Sequence, residues 1–253
     1  MSPTSLSVVI PCHNEEGAIA ELIAECFAAL PEREIEVIIV DDGSQDATAA
    51  RVLELAAHEP RLRLIRHARC CGQSTAIRSG VAAARHDWVA TLDGDGQNPP
   101  DQIPVLIAAL DIAPVARIGL VQGQRLGRRD TASKRVASRM ANGLRNAVLR
   151  DGVTDSGCGL KLFRREAWLA MPFFDHIHRF TPAMMRRDGW EVLISPVNHR
   201  PRLSGRSNYS NLQRALVGVV DLLGAAWLIR RSGRPRPVHS ESHAGEALLR
   251  GRD

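Results

Sequence analysis

Tyrosine is almost absent from this sequence: Tyr209 is the only one, and aromatic residues make up 4% of the 253 positions. Without an aromatic-and-basic motif on which bases could stack, the formal charge of +5 does not signal a nucleic-acid binder. Lysine is scarce too. Of 33 basic residues only Lys134 and Lys161 are lysines, which leaves 31 arginines, the side chain whose planar fork grips phosphate and carboxylate with two prongs. The five cysteines, Cys12, Cys26, Cys70, Cys71 and Cys158, form an odd set with no CxxC pair. Neither a disulfide framework nor a structural zinc site is expected from them. The phosphate loops GxGxxG and GxxxxGK[ST] are missing, which argues against a dinucleotide oxidoreductase and a P-loop NTPase. No basic-then-apolar leader with a small-residue cleavage site precedes the strand-like run Leu6-Ser-Val-Val-Ile10. The expectation is a cytosolic, reduced protein with one large domain and an appended end.

What is present is alternation. Short β-branched runs at 7–10, 36–40, 62–66 and 88–92 are each followed by a helical pattern, at 18–30, 48–57, 74–84 and 102–110. Such a series predicts an α/β fold with a mostly parallel sheet flanked by helices. Ligands bind such sheets at the carboxyl ends of their strands, and three polar clusters fall at those ends: Pro11-Cys-His-Asn-Glu15, Asp41-Asp-Gly-Ser44 and Asp93-Gly-Asp-Gly-Gln97. Beyond Arg125 come a basic helical stretch over 133–149, the glycine-rich Asp155-Ser-Gly-Cys-Gly159 and an extended segment from Trp190. The implied divisions are a catalytic domain over 1–208, an amphipathic helix over 209–231 and a disordered polar tail over 232–253.

Asp93, Asp95 and Gln97 present hard oxygens separated by glycine after a strand, a donor set suited to Mg²⁺ or Mn²⁺ carrying a diphosphate. A solvated acidic turn is the plainer alternative. Asp41 and Asp42 can accept hydrogen bonds from a base and a ribose, and Glu15 can shape the same pocket. Asp42 and Ser44 could equally cap a helix.

The most apolar stretch, Ala215–Ile229, has 15 residues and contains Asp221, too short to span a bilayer of ~20 residues. Arg214, Arg230, Arg231, Arg234 and Arg236 border it, with Trp227 near its end. This resembles an interfacial helix on an anionic membrane surface. A core helix, or one that meets a second copy of the chain or an integral membrane partner, is the alternative.

Taken in order, these motifs resemble the family 2 inverting glycosyltransferases of GT-A fold, in the branch similar to dolichyl-phosphate mannose synthase. The resemblance covers about residues 5 to 230 and rests on Val8 through Glu15, Ile39 through Ser44, Gly72-Gln-Ser-Thr-Ala76, Asp93 through Pro100, Gly123-Gln-Arg125, Asp155 through Gly159 with Arg164-Arg-Glu166, and Asn198-His-Arg-Pro-Arg202 with Gly205-Arg-Ser207. It implies transfer of a sugar from a UDP- or GDP-sugar to a polyprenyl phosphate, with inversion and with Mg²⁺ or Mn²⁺ on Asp93, Asp95 and Gln97. Pro11, His13, Glu15, Asp41, Asp42, Asp93 and Lys134 would then face the donor, while Asp95, Asp155, Arg125 and Arg202 serve catalysis. Asp155 either orients the acceptor or acts as a base. Two departures stand out: Ser207-Asn208 where the branch commonly has Ser-Lys, and Cys70-Cys71, expected as packing residues, where asparagine is frequent. The rival readings are a family 2 enzyme with a hydroxyl acceptor, for which Asp155 must be a base, and a catalytically silent nucleotide-binding subunit, against which the intact metal motif speaks.

Overall fold

Near-continuous apolar runs build the centre of the sheet. Strand β1 (Ser5–Cys12) and strand β2 (Glu34–Asp41) are buried along almost their whole length, as strands covered on both faces must be. The computed structural model describes residues 3–113, 117–126, 143, 145–201 and 211–231, with side chains in the last segment from 217 onward. Lys134, Arg202, Arg206, Ser207-Asn208 and the 232–253 tail lie outside the described residues.

The remaining strands are β3 (Leu62–Arg66), β4 (Trp88–Thr91), β5 (Ile118–Arg125), β6 (Lys161–Arg164) and β7 (Glu191–Val197). They lie in the order β3-β2-β1-β4-β6-β5-β7. Every strand pair is parallel except those made by β6, which runs against both β4 and β5.

Successive strand residues point to opposite faces, and the core divides accordingly. Leu6, Val8 and Ile10 meet helices α1 (Ile19–Ala29), α2 (Thr48–Ala56) and α4 (Ile103–Asp111), whereas Val9, Ile38 and Val40 meet α3 (Gln73–Ala83). The second face is extended by α5 (Arg165–Leu169), α6 (Thr181–Arg187) and part of α7 (Asn211–Arg230). In α1 the buried set is Ile19, Leu22, Ile23 and Cys26, the spacing of one helical face.

Two expectations need correction. Strand β1 continues through Pro11 and Cys12, paired with Val40 and Asp41, so Pro11 belongs to the strand and not to the turn after it. Leu92 N–H donates to the Val9 carbonyl; two residues on, Pro11 faces the same side beyond the end of β4 at Thr91, so its missing N–H costs no ladder bond. The helical stretch expected over 133–149 is described only at its end, where 145–149 are helical.

A buried carboxylate fastens the other end of the sheet. Glu36 lies across from Ser7 and accepts from Ser7 Oγ at 2.7 Å, the Arg85 N–H at 2.6 Å and Arg63 Nη1 at 2.7 Å. Burial alone would raise its pKa, but these donors outweigh it and hold the carboxyl below the usual glutamate value. A depressed folded value contributes stability that is complete above the unfolded pKa of about 4.3 and is lost as pH falls through the folded one. We expect Glu36→Gln to lower unfolding stability by about 2–3 kcal/mol at pH 7. In urea titrations the gap to the unsubstituted protein should close below about pH 4; a gap that persists there would contradict this account of Glu36.

Candidate active site

All parallel strands deliver their carboxyl ends to one edge, and β6, running the other way, delivers its beginning there. The loops after β1 and β2 are stitched together. His13 Nδ1 lies 2.8 Å from the Asp42 carbonyl, the Asn14 N–H donates to Ser44 Oγ at 2.9 Å, and the Glu15 N–H donates to Thr48 Oγ1 at 2.9 Å. Asp41 is fully buried at the end of β2 and accepts from the Ser44 N–H at 3.0 Å and Arg66 Nε at 3.3 Å.

Asp42 holds the loop after β3. Its carboxylate accepts from the N–H groups of Cys71 and Gly72 at 2.9 and 2.8 Å, pairs with His67 Nδ1 at 2.7 Å and receives the Cys70 thiol at 3.3 Å. Burial would raise the Asp42 pKa, yet this ring of donors lowers it. Gly43 makes the turn possible: its φ is +72°, and a Cβ there would lie 2.5 Å from the Arg69 carbonyl carbon. Contrary to expectation, Cys70 and Cys71 are exposed, because their loop is held at the surface by its N–H bonds to Asp42; the Cys70 thiol turns back onto that carboxylate and the Cys71 thiol onto the Arg69 carbonyl at 3.3 Å.

The same loop reaches the acidic motif. Gln73 Nε2 donates to Asp93 Oδ1 at 2.7 Å, and Asn98 Nδ2 to Asp93 Oδ2 at 3.1 Å. The Gln97 N–H donates to Asp95 Oδ1 at 3.0 Å. Arg200 fixes the turn from outside: its N–H donates to the Gln97 carbonyl at 3.0 Å, its Nε to the Gly96 carbonyl at 2.6 Å, and its fork holds Glu25 at 2.7 Å. Burial first, then the charge of Asp95, raises the Asp93 pKa. A divalent cation would relieve that repulsion, so two carboxylates and an amide as hard-oxygen donors fit Mg²⁺ or Mn²⁺.

Across the crevice, Arg125 at the end of β5 grips Asp155 with Nε and Nη2, both at 2.7 Å. A cavity of about 310 Å³ separates this pair from Asp93 and is lined as well by Gln73, Lys161 and His178. Lys161 begins β6 and is buried; its ammonium donates to the Cys158 carbonyl, and burial lowers its pKa. His178 Nδ1 lies 2.7 Å from Ser74 Oγ, and burial, followed by the charges of Lys161 and Arg179, pushes its pKa well below the usual histidine value. Lys161 and His178 went unnoticed as site residues in the sequence. The scarcity of lysine could have singled out Lys161, whereas His178 lies 104 residues from its partner and carries no local signal.

A second cavity, of about 510 Å³, adjoins the first between the Cys70–Ser74 loop, His176 to Arg179, and α7. Asp221, which interrupts the apolar run of α7, bonds His176 Nδ1 at 2.8 Å.

Gly159 sets the position of Asp93. A Cβ at residue 159 would lie 2.3 Å from the Asp93 carboxyl carbon, a contact that forces the carboxylate to move. We expect Gly159→Ala to keep the fold by circular dichroism and to lose most of the Mn²⁺-induced rise in Tm, since a displaced ligand costs roughly tenfold or more in metal affinity. An unchanged Mn²⁺ response would show that Asp93 is not held by this contact.

Residues 7–169 match the model of glycosyl transferase family 2. The chain is 32% identical over 243 residues to the dodecaprenyl-phosphate galacturonate synthase of Rhizobium johnstonii, covering 91% of this chain and 69% of that one. It is 35% identical over 208 residues to the undecaprenyl-phosphate 4-deoxy-4-formamido-L-arabinose transferase of Edwardsiella ictaluri, covering 81% of this chain and 62% of that one. The matched region thus spans roughly two thirds of these relatives' lengths. Among solved structures, glucosyl-3-phosphoglycerate synthase from Mycobacterium tuberculosis, in complex with Mn²⁺, UDP and glucosyl-3-phosphoglycerate, superposes with a TM-score of 0.65 at 21% identity, over 92% of this chain and 81% of that one. The shared fold is the GT-A arrangement.

Proposed function

Since the chain belongs to glycosyl transferase family 2, we propose that it transfers a sugar from a UDP- or GDP-sugar to a polyprenyl phosphate at the cytoplasmic face of a membrane. Pro11, His13, Glu15, Asp41 and Asp42 frame the nucleoside end of the crevice, and Asp93, Asp95 and Gln97 are the residues that would hold Mg²⁺ or Mn²⁺. A cation bound there neutralises charge on the departing diphosphate. Lys134 and Arg202, outside the described residues, remain candidates for the phosphates.

The observation that carries the acceptor assignment is the Arg125–Asp155 pair. A carboxylate gripped by both prongs of an arginine is a weak proton acceptor, so Asp155 is better suited to orienting Arg125 than to activating a hydroxyl. A lipid phosphate is already anionic near neutral pH and needs no such base. Arg125 and the buried ammonium of Lys161 supply positive charge where that phosphate would approach. The names of the two relatives above support the same acceptor class. Trp168 and Phe163 form an apolar wall of the cavity, against which a sugar ring can pack.

With polyprenyl phosphate, a panel of UDP- and GDP-sugars and mass spectrometry of the lipid product, Asp95→Ala should reduce turnover at least about a hundredfold with the fold intact. Asp155→Asn should cost less, about tenfold, because no proton leaves the acceptor. A larger loss in the Asp155 variant, with acceptor binding unchanged, would indicate a hydroxyl acceptor. Near-normal turnover by Asp95→Ala, or in EDTA, would exclude the metal role.

Helix α7 supports a peripheral membrane site. Leu222, Ala225 and Ala226 pack on the body, while Val219, Val220, Leu223 and Trp227 are more than half exposed. Among the described residues no helix is long and apolar enough to cross a membrane. With arginines at its borders, each contributing ~1 kcal/mol near an anionic surface, the helix should bind anionic liposomes at low salt and release them at high salt. Truncation after Gln213 should abolish that binding and impair turnover of long-chain acceptors more than nucleotide-sugar binding. Cosedimentation that is absent, or that resists high salt, would make α7 a contact helix instead.

A further inference from the structure

A second cluster of ligating groups sits beside the crevice, and its chemistry differs from that of the acidic motif. Asp42, His67 and Cys71 each offer one ligand atom, all within 4.8 Å of one another, and the Cys71 thiol now donates to the Arg69 carbonyl at 3.3 Å. Asp42 is buried, His67 half-buried and Cys71 exposed, so the cluster has a fixed floor and an open mouth. The other ring nitrogen of His67 lies 2.9 Å from Ser79 Oγ, the outer contact that orients a metal-binding imidazole. Asp42 is already held by the Cys71 and Gly72 N–H groups. Cys70 Sγ, 3.3 Å from the same carboxylate, stands ready as a fourth donor.

We propose that Asp42, His67 and Cys71 form a site for a thiophilic divalent cation of the Zn²⁺ class. Sulfur, imidazole and carboxylate together suit Zn²⁺, whereas the all-oxygen set at Asp93 and Asp95 suits Mg²⁺ or Mn²⁺, so donor softness sorts the two ions between neighbouring sites. A tetrahedral zinc site spaces its ligand atoms by roughly 3.3–3.8 Å. The Asp42–His67 pair, at 2.7 Å, must open by about half an ångström or more to admit the ion, and the exposed Cys71 thiol, within 4.8 Å of both, must close on it by up to about 1–1.5 Å. Because Asp42 also frames the nucleoside end of the crevice, zinc bound here competes with the nucleotide; this last step rests on the function proposed above.

The test uses the reduced full-length protein and two probes, Zn²⁺ by competition with a chromophoric chelator and Co²⁺ by its absorption. Binding of one ion, with a thiolate-to-cobalt band and a tetrahedral visible spectrum, is expected. The C70S/C71S double variant should lose the band and at least about tenfold in zinc affinity, and His67→Gln should weaken zinc similarly without removing the folded signal in circular dichroism. Cys12, Cys26 and Cys158 are buried, so a band that survives in the double variant, or a zinc affinity equal to that of the unsubstituted protein, overturns the site. Excess UDP or GDP should weaken zinc binding by more than the nucleotide's own chelation of Zn²⁺ in solution accounts for. If either nucleotide binds and zinc affinity does not change, the competition is refuted and the site stands; if neither UDP nor GDP binds, it is the nucleotide reading that fails.

Discussion

The geometry of the crevice depends on one carboxylate satisfied by a loop from the next strand. Asp42 directly follows β2 but its carboxylate is hydrogen-bonded by N–H groups that follow β3, so two loops that could drift apart are clamped to a single point. A buried carboxylate without those donors would cost several kcal/mol. With them, the backbone from Cys70 to Gly72 has little freedom, and Gln73, the next residue, is delivered to Asp93 at the end of β4. Three strand ends are thereby placed relative to one another by two acids and four residues of loop.

Charge is arranged with the same economy. Asp93 and Asp95 concentrate negative charge on one wall, and Lys161 and the Arg125–Asp155 pair oppose it from the other. The field across the cavity therefore points from β6 and β5 toward β4, so an anion entering the crevice is drawn to the Arg125 and Lys161 side and repelled from the acidic one. Arginine dominates the surface in number, yet the one lysine that the described residues contain is the basic group buried most deeply at this centre, where a compact ammonium fits a space that a guanidinium would crowd.

Much of this was legible in the residues alone. The first four strands and their helices emerged within a residue or two because each is a local apolar run with its own period, and the acidic motif emerged because its spacing reflects the chemistry it serves. Strand β6 was not legible. It is four residues long, pairs antiparallel with strands far away in sequence, and has no period distinct from the glycine-rich loop before it. The exposure of Cys70 and Cys71 is illegible for a related reason: cysteine is usually buried as a type, and only the long-range capture of their loop by Asp42 keeps them at the surface. Local pattern reports elements well, but it is blind to which loop a distant acid will capture.

The reversed direction of β6 has a consequence for how such an enzyme can diversify. One wall of the crevice is written in the first hundred residues, where strands end; the facing wall is written by Arg125, where β5 ends, and by Asp155 and Lys161, just before and at the start of β6. Arg125 and Asp155 close the intervening segment like a clasp. The described residues between the two are not free to vary, since Leu149 and Val153 are buried in the second core face and Arg145 pairs with the buried Asp151, so this wall can be recut only where the chain faces the crevice.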